Sequence, residues 1–139
     1  YGFYYIDTAL RRIEFASVNP KFSTVSPFET VFEFPPDAGD PDGMTIDQDG
    51  FLYVAMWGGS SVLVVDPSVR GIIERIPVPA LYVTSCIFGD EDYDTLYITT
   101  ATWPAAGRDI PQPETDLGGS VFALADRGPG MPEPVMNLG

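Results

Sequence analysis

The chemistry open to this sequence is that of oxygen. It holds no histidine, one cysteine, and 20 aspartates and glutamates against 7 lysines and arginines. Without histidine these residues cannot form a Ser-His-Asp or Cys-His nucleophile system or offer an imidazole ligand. Carboxylates and hydroxyls remain, and they suit hard cations such as Ca2+ or Mg2+. Three positions are of interest: Asp42 ahead of Gly43-Met44, Trp57 ahead of Gly58-Gly59, and Ser85 within Thr84-Ser85-Cys86. On residue type alone, Asp42 reads as a turn-initiating aspartate, Trp57 as a rim tryptophan and Ser85 as a strand serine bonded to backbone. Cys86 lies in the apolar run from Val83 to Phe88. A buried, unreactive thiol is expected there.

Other clusters carry less. The acidic series Asp37, Asp40, Asp42, Asp47, Asp49 invites comparison with a calcium loop. Placing Asp47, Asp49 and Gly50 at its third, fifth and sixth positions puts Thr45 first and Met56 twelfth, where a bidentate glutamate is required. The comparison fails, and Asp47 and Asp49 read as turn residues. Asp7 reads as a strand-end residue and Gly128-Pro129-Gly130 as a turn. Gly58-Gly59-Ser60 lacks the strand-to-helix setting of a phosphate loop.

The elements that must position these residues repeat along the chain. Phe3-Tyr4-Tyr5-Ile6 leads to Arg12-Ile13-Glu14-Phe15-Ala16 and a turn at Asn19-Pro20. Leu52-Tyr53-Val54-Ala55 leads through Trp57-Gly58-Gly59-Ser60 to Val62-Leu63-Val64-Val65 and a turn at Asp66-Pro67. Leu96-Tyr97-Ile98-Thr99 leads to Ser120-Val121-Phe122-Ala123-Leu124 and a turn near Asp126. Tyr53 follows Tyr5 by 48 residues, and Tyr97 follows Tyr53 by 44. A period of about 40–50 residues with several short strands per unit marks a β-propeller blade. The segments are β-branched and aromatic, bounded by Gly, Pro, Asp or Asn. No stretch keeps a helical apolar period.

The expected class is therefore all-β: about three antiparallel four-stranded blades of an incomplete propeller ring. Residues 1–40 supply a partial blade, 41–80 a complete one and 81–139 the last. In the middle blade the strands are expected at Gly43–Asp47, Phe51–Met56, Ser61–Val65 and Gly71–Val78, with a hairpin at Gln48-Asp49-Gly50. The third blade starts at Tyr82–Phe88. It carries a Pro-rich loop from Trp103 to Pro113, and its outer strand is expected at Pro132–Leu138. Three blades leave two sheet faces and a channel wall open. Either another chain completes the ring or these blades are part of a longer molecule, and the truncated first strand favours the second.

A net charge of −13 without a basic cluster argues against nucleic acid and anionic membranes as partners. No apolar run reaches membrane-spanning length.

The ordered blocks resemble the regucalcin (senescence marker protein) and gluconolactonase family. Tyr4-Tyr5-Ile6-Asp7, Pro41-Asp42-Gly43-Met44, Ile46-Asp47-Gln48-Asp49-Gly50, Leu52-Tyr53-Val54-Ala55, Trp57-Gly58-Gly59-Ser60, Thr84-Ser85-Cys86-Ile87-Phe88-Gly89 and Gly118-Gly119-Ser120-Val121-Phe122 follow the family's order. The resemblance implies a six-bladed propeller, of which this is the C-terminal half. It also implies a divalent cation at the top of the channel: Ca2+ first, with Mg2+, Mn2+ or Zn2+ as alternatives. Asp42 corresponds to a ligand that also contacts substrate, which makes it the candidate metal-binding and catalytic residue. Trp57 and Ser85 become candidate pocket residues. The family's other ligands, a glutamate and an asparagine, have no counterpart here.

The implied activity is metal-dependent opening of a sugar lactone by a cytoplasmic enzyme. The alternatives are a non-catalytic calcium-binding or regulatory propeller, and a related phosphotriesterase-type hydrolase.

Overall fold

The computed structural model describes residues 1–102 and 115–132. All its regular elements are strands: β1 (Gly2–Asp7), β2 (Arg12–Asn19), β3 (Thr24–Val25), β4 (Glu29–Glu33), β5 (Asp40–Ile46), β6 (Leu52–Trp57), β7 (Ser61–Asp66), β8 (Gly71–Pro77), β9 (Tyr82–Gly89), β10 (Thr95–Ala101) and β11 (Val121–Leu124). Within each blade the strands pair antiparallel, β1 with β2 and β2 with both β3 and β4, then β5 to β8 in order, then β9 to β11 in order, which makes three successive blades. The chain is all-β and forms about three blades of a six-bladed propeller.

The middle blade, β5 to β8, is the complete one. Its two central strands read LYVAMW and SVLVVD, apolar without alternation. Such runs belong to strands buried on both faces, and here each face has its own neighbour. Leu52, Val54, Met56, Leu63 and Val65 join Ile13, Phe34 and Ala38 in one cluster facing the first blade. Tyr53, Ala55, Val62 and Val64 point the other way, into a cluster with Val83, Cys86, Phe88, Leu96 and Ile98 of the third blade. The Tyr53 and Phe88 rings meet edge to face, with centroids 4.9 Å apart. At about 1.5–3 kcal/mol for each fully buried large side chain, these two inter-blade layers dominate the favourable terms.

The Gln48-Asp49-Gly50 hairpin is built by Asp47. Its Oδ1 accepts from the amides of Asp49 (3.0 Å) and Phe51 (2.8 Å), and its carbonyl accepts from Gly50 N (3.1 Å). Gly50 takes φ +88°, where a side chain would be strained. Asp47 is thus consumed by its turn, as is Asp7, whose Oδ1 caps Leu10 N at 3.0 Å.

The first blade departs from a plain strand pattern at its outer edge. β3 and β4 are two pieces that both pair with β2, against Val18–Asn19 and Arg12–Phe15 respectively. Pro27 lies between them and has no amide to donate, so the strand is interrupted there.

In the third blade β9, β10 and β11 pair in order. After β11 the chain turns toward the middle blade. Gly130 bridges Asp47, and Met131 N donates to Ile46 O at 3.0 Å. Of the outer strand expected at Pro132–Leu138, only Pro132 is among the described residues, and it is not in a strand. The Pro-rich segment from Trp103 to Pro113 lies outside the described residues altogether.

Burial pushes the Cys86 thiol up to about 12, and burial with the neighbouring Asp47 carboxylate pushes the Tyr53 phenol to about 12. Both groups hold their protons more tightly folded than unfolded. Their contribution is therefore intact below pH 9 and is lost as the pH climbs toward 12. Thermal unfolding should show a Tm that is flat from pH 7 to 9 and falls steeply above, with about 2 kcal/mol or more lost by pH 11.

Candidate functional site

β5 is the innermost strand of its blade. It pairs with β6 on one side, and its other edge is met at the far end by Gly130 and Met131. Asp42 was expected just ahead of this strand; it lies within it, as the third residue. The ladder runs Asp40 with Trp57 and Pro41 with Met56, then slips, resuming at Met44 with Val54. Asp42 and Gly43 therefore sit in a β-bulge. Bulges re-aim side chains, and here the carboxylate stays exposed while Pro41 before it and Thr45 beyond it are buried. Partial burial still raises the Asp42 pKa above the ordinary carboxylate value. A carboxylate shifted this way accepts a proton or a cation more readily than a fully solvated one.

Gly43 fixes what lies next to the bulge. A Cβ on it would overlap Ser85 Oγ and would stand 2.6 Å from Ser85 Cβ and 2.7 Å from Ser85 Cα. The inner strands of the middle and third blades thus run side by side, and Ser85 sits against the peptide that follows Asp42. Ser85 is exposed and is the fourth residue of β9. Its neighbour Cys86 points inward and donates to Tyr53 O at 3.3 Å. That buried thiol, with its raised pKa, is inert as expected.

Trp57 ends β6 and is half-buried. It pairs in register with Asp40 on one side and with Tyr82, the first residue of β9, on the other. The Trp57 and Tyr82 rings lie 4.5 Å apart at 42°. The two aromatics make a wall at the end of the sheet where β5 begins. Asp42, Ser85 and Trp57 are thus carried by β5, β9 and β6 at one end of the middle and third blades.

Sequence reasoning missed Tyr82, which opens an inner strand and could have been found by aligning the blade starts. It also missed Thr8 and Arg11, on the β1–β2 hairpin. Thr8 Oγ1 donates to Pro41 O at 2.8 Å, and Arg11 forms an ion pair with Asp40. No signal in the sequence marks either one.

The donor chemistry fits a hard cation in kind: one carboxylate and one hydroxyl, without nitrogen or thiolate donors. Among the described residues no three histidines, cysteines, aspartates or glutamates converge. These blades therefore offer part of a shell that for Ca2+ takes six to eight oxygens. Among the described residues no helix is long and apolar enough to cross a membrane.

The family described as "SMP-30/Gluconolactonase/LRE-like region" matches residues 1–102. The chain belongs to this family. The Bacillus subtilis protein named "Putative sugar lactone lactonase YvrE" is 46% identical over 132 residues, covering 94% of this chain and 44% of that protein. Regucalcin of Danio rerio is 40% identical over 99 residues, covering 71% of this chain and 34% of the relative. Pentonolactonase XacC of Haloferax volcanii is 35% identical over 133 residues, with coverages of 94% and 45%. The chain spans less than half the length of each. A solved structure of a calcium-binding protein, regucalcin, from Agrobacterium tumefaciens superimposes with TM-score 0.82 at 23% identity, over 99% of this chain and 46% of that one. That likeness shows the propeller fold. Membership of the SMP-30/gluconolactonase family places this chain among proteins whose named members include lactonases and regucalcins.

Proposed function

We propose that this chain is part of a metal-dependent hydrolase that opens a sugar lactone. The observation that carries the reading is Asp42, lifted out of its ladder by a bulge on an innermost strand, with Gly43 beside it packed against Ser85. A carboxylate that is merely turning the chain has no need of this arrangement, and Asp47 shows in the same blade what a turn aspartate looks like. A divalent cation, when bound, supplies Lewis-acid polarisation of the lactone carbonyl. Asp42 would be the ligand from these blades, with Ca2+ as the first candidate and Mg2+, Mn2+ or Zn2+ as others. Asp42 would also take the proton of the attacking water and return one to the ring oxygen that leaves. Ser85 would donate to, or accept from, a hydroxyl of the sugar. Trp57 and Tyr82 would give the ring an apolar wall.

The remaining ligands would come from further blades, which we take to complete the ring, with this chain as its C-terminal half. Two exposed faces support that. Phe3 (40% exposed), Tyr5 (48%) and Phe28 (48%) cluster on the first blade's outer face, with Phe28 5.8 and 5.7 Å from the other two rings. Ile87 (46%) and Val121 (66%) lie on the third blade's outer face. An exposed aromatic cluster such as the one on the first blade marks an interface.

The test is a panel of five- and six-membered sugar lactones assayed by pH-stat with the complete ring and a saturating cation. Turnover supports the reading. Tight Ca2+ binding with no turnover on any lactone would favour the second reading, a non-catalytic calcium-binding propeller, which the regucalcin relatives motivate. Within the enzymatic reading, Trp57→Ala should raise KM about five- to tenfold with a smaller change in kcat, since it removes one face-on aromatic contact. Steady-state kinetics on a turned-over lactone checks this.

A further inference from the structure

We propose that Thr8 and Arg11, on the β1–β2 hairpin of the first blade, are positioning residues for Asp42 on the second. The inference rests on the reading of Asp42 as a cation-holding carboxylate. The sheet ladder fixes Pro41 against Met56 and Met44 against Val54, and it fixes neither residue between them. A bulged segment needs other anchors if its side chain is to hold one direction.

The first blade supplies them. Thr8 Oγ1 donates to the carbonyl of Pro41 at 2.8 Å, and that carbonyl belongs to the peptide whose nitrogen is Asp42's. Arg11 Nη2 donates to the carbonyls of Pro35 (2.7 Å) and Gly39 (2.6 Å), while Nη1 bonds to the Asp40 carboxylate. One hairpin thus makes four bonds to the connection that delivers Asp42. The hairpin is anchored in turn, because Phe34 N donates to Arg11 O at 2.9 Å.

One feature separates this from an ordinary surface ion pair. Arg11 spends two of its bonds on backbone carbonyls, which fix a peptide path rather than a charge. The bonds converge on one peptide segment, and that segment ends at Asp42. A displacement of about 1 Å at a reacting group is enough to cost two orders of magnitude in rate.

The experiment compares Thr8→Val, Thr8→Ser, Arg11→Gly and Asp42→Asn in the complete ring, each well below its own Tm. Glycine at position 11, where φ is +54°, keeps the left-handed backbone without strain and removes the whole side chain that carries the guanidinium. Calorimetric Ca2+ affinity is read beside kcat and KM for a sugar lactone. Thr8→Val and Arg11→Gly should each weaken Ca2+ binding about tenfold and lower kcat in proportion, as loss of a ligand-orienting bond does. KM should move little, and Thr8→Ser should behave as the parent. If Arg11→Gly does not fold, Arg11→Lys is measured on the same scale.

Variants with a lowered Tm but unchanged Ca2+ affinity and kcat would show a structural role only and overturn the proposal. If they do so while Asp42→Asn loses binding, positioning alone has failed. If Asp42→Asn binds Ca2+ as the parent does, the reading of Asp42 fails and the proposal goes with it.

Discussion

Asp42→Asn should lower kcat/KM for a sugar lactone by about two orders of magnitude or more and weaken divalent-cation binding in parallel. Residues that merely orient a ligand typically cost 10–100-fold when removed, so loss of a charged ligand lies at or beyond that range. Asparagine keeps the shape and one oxygen, and no buried contact is lost because Asp42 is exposed. The fold should therefore survive with its Tm almost unchanged. A carboxamide cannot take a proton at neutral pH and carries no charge to attract the cation. Titration calorimetry with Ca2+ and steady-state kinetics on the same preparation check both halves of the expectation. Asp47→Ala is the informative contrast. It should cost stability by leaving the Asp49 and Phe51 amides that Asp47 Oδ1 holds without their acceptor, while leaving cation affinity in the folded protein unchanged.

Gly43→Ala should be damaging in a different way. The added methyl meets Ser85, whose Cβ and Cα stand 2.6 and 2.7 Å from where it would lie. A hydroxyl can rotate aside, but the β9 backbone cannot. The strands must part, which opens the seam between the middle and third blades. Overpacking of this kind typically costs about 1–3 kcal/mol, and denaturant melts should show it. The site should suffer beyond the stability loss, because β5 moves with Asp42 on it. Pairing the change with Ser85→Gly should restore stability only in part, since the new methyl still overlaps the β9 backbone.

Much of the fold was legible in the residues. The unbroken apolar runs Leu52–Met56 and Val62–Val65 require a neighbour on each face, and the two inter-blade clusters are those neighbours. The 44- and 48-residue spacings of Tyr53 from its counterparts place equivalent strands in successive blades. The split of the first blade's outer strand and the turn of Gly130–Met131 toward Ile46 were not legible, because both depend on long-range pairing that no local pattern encodes. For the site, Asp42 was visible only through the family's Pro-Asp-Gly-Met block. Taken alone, an aspartate before a glycine reads as a turn, and its bulge is a register slip between two strands rather than a property of either. Tyr82, Thr8 and Arg11 escaped for the same reason. Each matters for what it meets across a blade boundary: Trp57, Pro41, and the Pro35–Asp40 connection.

The measurement that bears most directly on Asp42 as a cation-holding residue is chelation followed by add-back. The complete ring would be stripped with EDTA and dialysed, and sugar-lactone hydrolysis followed as Ca2+, Mg2+, Mn2+ or Zn2+ is returned. The parent should fall to the uncatalysed rate and recover with at least one cation, while Asp42→Asn at the same concentrations should not recover. Undiminished hydrolysis after chelation, or full recovery of Asp42→Asn, would contradict the account.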